Sequence, residues 1–184
     1  MATPAKAETA ILNDGTRVVI RPIRADDKDL LRDVLERLSP RSRYHRFAMV
    51  VRELSVLELA YLTEVDNANH VAWLATEMVD ERERAVGVAR YVRSDYEPEV
   101  GEVAVTVADS YQGRGLGKLL LGRLADSART NGVQRFLGYV CCDNTPILGL
   151  AREFGACLRF LGAGMMRVSG TVPETLDGAL QASR

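Results

Sequence analysis

Two periods of apolar recurrence divide this chain. Alternation or a short apolar run marks Thr16–Ile23, His70–Met78, Ala85–Val92, Val100–Ala108 and Arg135–Cys142 as strands, with two further strand-like runs near Ala156–Leu161 and Gly164–Val168. Spacing of three and four predicts a helix through Leu30, Leu31, Val34, Leu35 and Leu38, and another through Leu116, Leu119, Leu120, Leu124, Ala125 and Ala128. The punctuation agrees with these spans. Asp26-Asp27 offers a cap for the first helix and Ser39-Pro40 stops it; Asn131-Gly132 closes the second, with glycine suited to a left-handed cap. Ser55-Val56-Leu57-Glu58 fits a capping box for a helix to about Glu64, and Asn144-Thr145-Pro146 opens a short helix through Phe154 that Gly155 ends. Asn13-Asp14-Gly15 and Asp80–Arg84 read as turns, and Ser94–Glu99 separates two strands.

Met1–Thr9 is small and polar, and residues 1–10 read as a flexible start. Ser39–Val51 (SPRSRYHRFAMVV) reads as a loop or short helix, with Arg41, Arg43, Arg46 and Arg52 either solvated or shaping the rim of an acceptor site. The tail from Val172 on is weakly determined. Hairpins precede the glycine-rich turn described below, where a βαβ unit would put a helix. The expectation is one α+β domain over residues 1–184: a mostly antiparallel, centrally split sheet of about six to seven strands, flanked by helices.

Composition narrows the function classes. With 184 residues, 47% of them apolar, the chain can bury a core without metal or disulfide staples. Lys+Arg is 24 against Asp+Glu 25, so no global field draws it to nucleic acid or an anionic membrane. Cys141, Cys142 and Cys157 show neither CxxC nor zinc spacing and read as reduced thiols in a cytoplasmic protein; no metal site is expected. No segment reaches transmembrane length, and Met1–Glu8 lacks the apolar stretch of a signal peptide.

The candidate chemistry concentrates between Gly101 and Leu124, GEVAVTVADSYQGRGLGKLLLGRL. An apolar strand runs into three glycines within five residues, Gly113, Gly115 and Gly117, and a helix follows. Close-set glycines let backbone approach a ligand, and the unpaired amides of a first helical turn attract anions, so the stretch reads as a phosphate cradle. Two common phosphate loops fail on spacing. A Walker loop needs a glycine where Gln112 stands and a hydroxyl where Leu119 stands. The dinucleotide fingerprint needs glycine at Lys118 or Leu120.

Gln112-Gly113-Arg114-Gly115-Leu116-Gly117 does fit Q/R-x-x-G-x-G/A, and in this order of strands and helices the chain resembles the GNAT acetyltransferases. DGTRVVIRPIRADD, LSPRSRYHRF, GEVAVTVADSYQGRGLG and His70-Val71-Ala72-Trp73 make it similar to the bacterial protein lysine acetyltransferases of the Pat type, their mycobacterial branch included, from about residue 12 to 168. The resemblance implies a sheet splayed at an acyl-CoA site and acetyl-CoA as co-substrate. It implies that backbone groups of Ala104, Val105 and Thr106 bond the pantetheine arm and that amides of Gln112–Gly117 hold the pyrophosphate. Arg114 and Lys118 would add charge, Asn144 would contact the pantetheine, and Glu102 would be the catalytic base. Two departures stand out. Many GNAT enzymes carry a tyrosine acid where Ala151 lies, and many Pat proteins carry a fused regulatory domain for which this chain has no room.

The residues themselves leave alternatives open. Strand alternation puts Glu102, Ala104, Thr106 and Ala108 on one face and Val103, Val105 and Val107 on the other. Glu102 reads either as a solvated strand-end residue or as a base for an ammonium that, at a pKa of roughly 10.4, is otherwise charged near neutrality. Arg114 and Lys118 read either as exposed helix-start residues or as diphosphate ligands. His70 and Tyr44 are candidates for the acceptor side; Tyr139 and Trp73 read as core. The expected reaction is acetyl transfer from acetyl-CoA to the Nε of a protein lysine, for example on an acyl-CoA synthetase. A small-molecule or N-terminal amine acceptor, or a non-catalytic acyl-CoA-sensing module, are the alternatives. A monomer and a homodimer through the C-terminal strands are both consistent with the sequence.

Overall fold

The computed structural model describes residues 6–47 and 54–173. Eight strands form one sheet: β1 (Glu8–Ile11), β2 (Arg17–Pro22), β3 (His70–Val79), β4 (Arg82–Arg93), β5 (Val100–Val107), β6 (Arg135–Cys141), β7 (Cys157–Gly162) and β8 (Met165–Thr171). Their spatial order is β1-β2-β3-β4-β5-β6-β8-β7. Every neighbouring pair is antiparallel except β5 and β6, which are parallel. Five helices flank the sheet: α1 (Lys28–Glu36), α2 (Pro40–Phe47), α3 (Val56–Thr63), α4 (Leu116–Thr130) and α5 (Thr145–Glu153). None of the described helices is long and apolar enough to cross a membrane.

The seven strands read from the sequence are present, and an eighth, β1, overlaps the stretch read as a flexible start. Its register runs from Glu8↔Ile20 to Ile11↔Arg17, and Arg123 of α4 binds Glu8 from below. The basic segment after α1 is helical from Pro40 to Phe47; the remainder of that stretch, and the tail beyond Pro173, lie outside the described residues.

Which face each helix covers follows from contacts. A Cβ built on Gly87 would meet Leu116 and Leu120 of α4 at 3.2 and 3.1 Å. Trp73 Nε1 donates to Ser127 Oγ of the same helix at 2.9 Å. Gly87 is the partner of Val107, so α4 covers the face of Val103, Val105 and Val107. α5 lies beside α4, where a Cβ on Gly117 would come within 3.3 Å of Leu150. The opposite face belongs to α1, α2 and α3: Arg37 donates to the Ala85 carbonyl at 2.6 Å and Arg90 to the Leu62 carbonyl at 3.0 Å. The core is the apolar filling of both layers, with Ile20, Leu74, Val86, Leu116, Leu120 and Leu124 fully enclosed.

The sheet is split where the parallel pair ends. β5 and β6 share only Val100↔Arg135, Gly101↔Phe136 and Glu102↔Leu137. Beyond Glu102 each strand stays paired on its outer side, β5 with β4 as far as Gly87↔Val107 and β6 with β8 as far as Cys141↔Met165. The backbone groups that β5 and β6 would otherwise exchange are left facing a gap. Gly138 sits at its closed end, where a Cβ would come within 3.4 Å of the Val103 carbonyl oxygen. That carbonyl points toward β6, and strand alternation aims the Val105 groups the same way.

Candidate functional site

A cavity of about 390 Å³ occupies the split. Its wall includes Glu102, Ala104, His45 and Arg46 from one face of the sheet, and Val103, Val105, Leu121 and Leu150 from the other. Since these two groups lie on opposite sides of β5, the cavity passes through the sheet by way of the gap. Glu102 stands at the last shared register and is exposed. Ala104 and Val105 line the passage beyond it; Thr106 is buried, outside the wall, and its Oγ1 makes no hydrogen bond among the described residues.

The glycine-rich turn follows β5 through a short 3-10 turn at Asp109–Tyr111. Gly113 and Gly115 have φ of +73° and +88°, a backbone region that other residues enter only at a cost. Gly115 also lies against Asn13, where a Cβ would come within 3.1 Å of Asn13 Oδ1. It is the N-cap of α4 and no side chain caps it, so the first-turn amides are presented outward. Leu116 faces the core at 1% exposure, so only its backbone can serve a ligand. The N-terminal turn supports this loop from outside: the Asn13 amide donates to the Arg114 carbonyl at 3.1 Å, and Arg114 Nη1 binds Asp14 at 2.7 Å. Arg114 stacks 5.0 Å from the Tyr111 ring, and Lys118 lies 3.4 Å from Glu153, so both cations are held by carboxylates at the rim. Gln112 donates to the Val107 carbonyl at 3.2 Å and to Ser42 Oγ at 3.3 Å, tying the turn to α2.

At the far side Asn144 lines the cavity and caps α5, accepting from the Ile147 amide at 3.5 Å. α2 bridges the mouth of the split. Asp109 accepts from the Ser39 amide, the Ser39 hydroxyl and the Ser42 hydroxyl at 2.9, 2.9 and 2.7 Å. Asp143 meets His45, toward the end of the helix, at 2.9 Å and Arg41, in its first turn, at 3.5 Å. Tyr44 points outward, 49% exposed, and takes no part in the cavity wall, whereas its neighbours His45 and Arg46 do.

His70 is on the Glu102 face but two strands away, since Glu102 pairs with Val92 and Val92 with His70. It lies outside the wall, buried, with Nε2 3.1 Å from Arg90 and its ring 4.9 Å from Tyr61. Burial, with Arg90 adding to it, pushes His70 down to about 4. Burial and then the nearby Arg46 bring Arg90 down to about 9. Burial also lowers Arg46, and the Glu102 carboxylate opposes that shift. A positive cluster thus stands behind one carboxylate.

One core assignment changes. Tyr139 is 50% exposed and lines the cavity, because on β6 it shares the Glu102 face, where the sheet is open. Trp73 is buried as expected. All three cysteines are free, Cys141 buried and Cys142 and Cys157 exposed. His45 and Tyr139 are polar wall residues that sequence reasoning did not select as site residues, whereas Arg46 lay among the arginines read as a possible rim. His45 and Arg46 both lie in the segment Ser39–Val51, read as either solvated or a rim of the acceptor site.

The sequence profile of the acetyltransferase (GNAT) family matches residues 32–156. A Pseudomonas aeruginosa protein named as an acetyltransferase is 36% identical over 151 residues, 82% of this chain and 78% of that protein. Acetyltransferase Pat of Mycolicibacterium smegmatis is 37% identical over 174 residues, 90% of this chain and 51% of that protein, so the chain spans about half of Pat's length. Among solved structures, the GNAT domain of S. lividans PAT superimposes with a TM-score of 0.81 at 27% identity, covering 90% of this chain and 96% of that one.

Proposed function

The chain belongs to the acetyltransferase (GNAT) family, and from that membership we propose that it moves the acetyl group of acetyl-CoA to an amine, with a protein lysine Nε as acceptor and Glu102 as base. The observation that carries the reading is the cavity through the split sheet, with Glu102 at the point where β5 and β6 part. The residues fit acetyl-CoA. Unshared backbone groups of β5 from Val103 onward can bond an amide-bearing arm laid in the gap, as a strand would. The outward amides at the start of α4, beside two glycines in the left-handed region, suit a diphosphate. Acetyl-CoA would supply an activated thioester; the chain supplies position and proton transfer.

Glu102 takes the proton that makes the acceptor amine a nucleophile, directly or through a water. Its exposure on the α2 side of the sheet allows an acceptor to reach it from the face opposite α4 and α5. An exposed base suits a lysine carried on another protein, such as an acyl-CoA synthetase, and the likeness to Pat supports the same acceptor. Glu102→Gln keeps the shape and removes the proton acceptor. Acetyl-CoA affinity, measured by calorimetry, should persist while acetyl transfer to lysine-bearing proteins falls by about 10²–10⁴-fold. Full transfer by that variant would remove Glu102 from the mechanism, and transfer confined to small amines would remove the protein acceptor.

A further inference from the structure

We propose that His45, oriented by Asp143, carries the acceptor's surplus proton to the departing sulfur; the idea rests on the transfer reaction proposed above. His45 reaches the cavity from α2, and Glu102 reaches it from β5, so two proton-handling groups face one space from different elements. The His45 side chain is only 11% exposed. Its Nε2 lies 2.9 Å from Asp143 Oδ1, and that carboxylate is held below the usual range chiefly by this hydrogen bond. Nδ1 has no partner among the described residues, yet it is not among the enclosed polar atoms left without a hydrogen bond. It is therefore left as the unpaired nitrogen of a residue in the cavity wall. Arg46 and Tyr44 flank the ring on α2, the latter at 6.5 Å between centroids, and Arg41 holds the other oxygen of Asp143.

A carboxylate that accepts from one imidazole nitrogen fixes the tautomer and presents the lone pair of the other. With Nε2–H donating to Asp143, Nδ1 is the proton acceptor that this wall residue has left to offer. Once Glu102 has freed the amine, attack on the thioester carbonyl forms the C–N bond and leaves nitrogen with one proton too many. Nδ1 takes that proton. As the C–S bond breaks, with its electron pair leaving on sulfur, Nδ1 gives the proton to sulfur and returns to its starting form. The products are amide and free thiol, His45 is unchanged, and Glu102 returns the proton it took to solvent. Asp143 acts only through His45 and is a positioning residue. Nothing in this step needs an acid at Ala151.

The chain has two histidines, which makes the test direct. In ¹⁵N spectra of the full chain in alkaline buffer, His45 should be the Nε2–H tautomer. His70 should be the opposite one, because its Nε2 accepts from Arg90. Coenzyme A should move the His45 Nδ1 resonance and desulfo-coenzyme A should move it less; His45→Gln assigns the signals. An Nδ1–H tautomer at His45, or a resonance indifferent to the thiol, overturns the proposal. The kinetic arm follows thiol release from acetyl-CoA with a lysine-bearing protein, a small amine, or water alone as acceptor. His45→Ala should lower release on the order of 10²-fold in every arm the wild type turns over, with acetyl-CoA affinity kept. Free imidazole should restore part of the rate, which a structural loss would not allow. Turnover of small amines or water but not protein counts against the lysine acceptor alone. Undiminished release by His45→Ala, or the same loss and imidazole rescue appearing in Tyr139→Phe instead, counts against His45.

Discussion

His70 shows how a single side chain is set by its neighbours. In the native chain it titrates at about 4, against an ordinary 6.5. The unfolded chain therefore takes up a proton as pH falls through 6.5, and the native chain does not until about 4. Stability from this residue is complete above the upper value and drains away down to the lower one, by up to about 3 kcal/mol. Urea unfolding above and below this window should show that slope in the wild type. His70→Gln, which keeps an acceptor for Arg90, should flatten it. An equal slope in both proteins would mean other groups drive the acid loss. Little of this was legible in sequence, because Arg90 lies within an apolar strand run and its partners Leu62 and His70 are 28 and 20 residues away. The same distance problem hid His45, whose partner Asp143 is 98 residues on. Glu102 was a candidate in the sequence because the family likeness that singles it out, GEVAVTVADSYQGRGLG, is local; the structure places it in the cavity wall at the last shared register.

Elements were readable where a buried stripe or a cap defines them. The leucines of α4 and the capping box of α3, in which Ser55 and Glu58 satisfy each other's amides, needed no tertiary information. α2 was not readable as firmly: PRSRYHRF has no apolar period, and the helix is docked by polar bonds to Asp109 and Asp143. β1 escaped for a related reason. It is four residues long at the sheet edge, and Ile11 points outward at 64% exposure. The glycine turn yields a graded test. Gly115→Ala meets both the left-handed φ and Asn13 Oδ1 at 3.1 Å, while Gly113→Ala meets only the φ. Gly113→Ala should cost about 1–2 kcal/mol and Gly115→Ala more, with the Asn13 contact displaced and acetyl-CoA affinity reduced further. Denaturant midpoints and calorimetry measure both. Equal penalties would show that Asn13 yields without cost.

At the scale of the whole molecule, the sheet has an opening with access from both faces. In the proposed reaction the cofactor takes the α4 and α5 side and the acceptor the α2 side, so both would be present together. No cysteine or serine is among the described residues lining the cavity, and in the proposed reaction the amine attacks the thioester directly, with no acetyl-enzyme between two half-reactions. Initial rates varied in both substrates should therefore give intersecting double-reciprocal lines. Parallel lines, the mark of a covalent acetyl-enzyme, would contradict this arrangement. The split itself was foreseen from the family likeness; that its cavity touches both layers of helices emerged only from the three-dimensional register.

Mechanically, the three shared registers of β5 and β6 make the molecule two plates, of five strands and of three, stitched together along one short edge. A plate joined so briefly can rock about its stitching. A molecule lying in the gap and bonding both free edges takes the place of the missing stitches, so occupancy and rigidity rise together. α2, fastened to one plate at Asp109 and to the other at Asp143, is the strut that limits how far the seam can open.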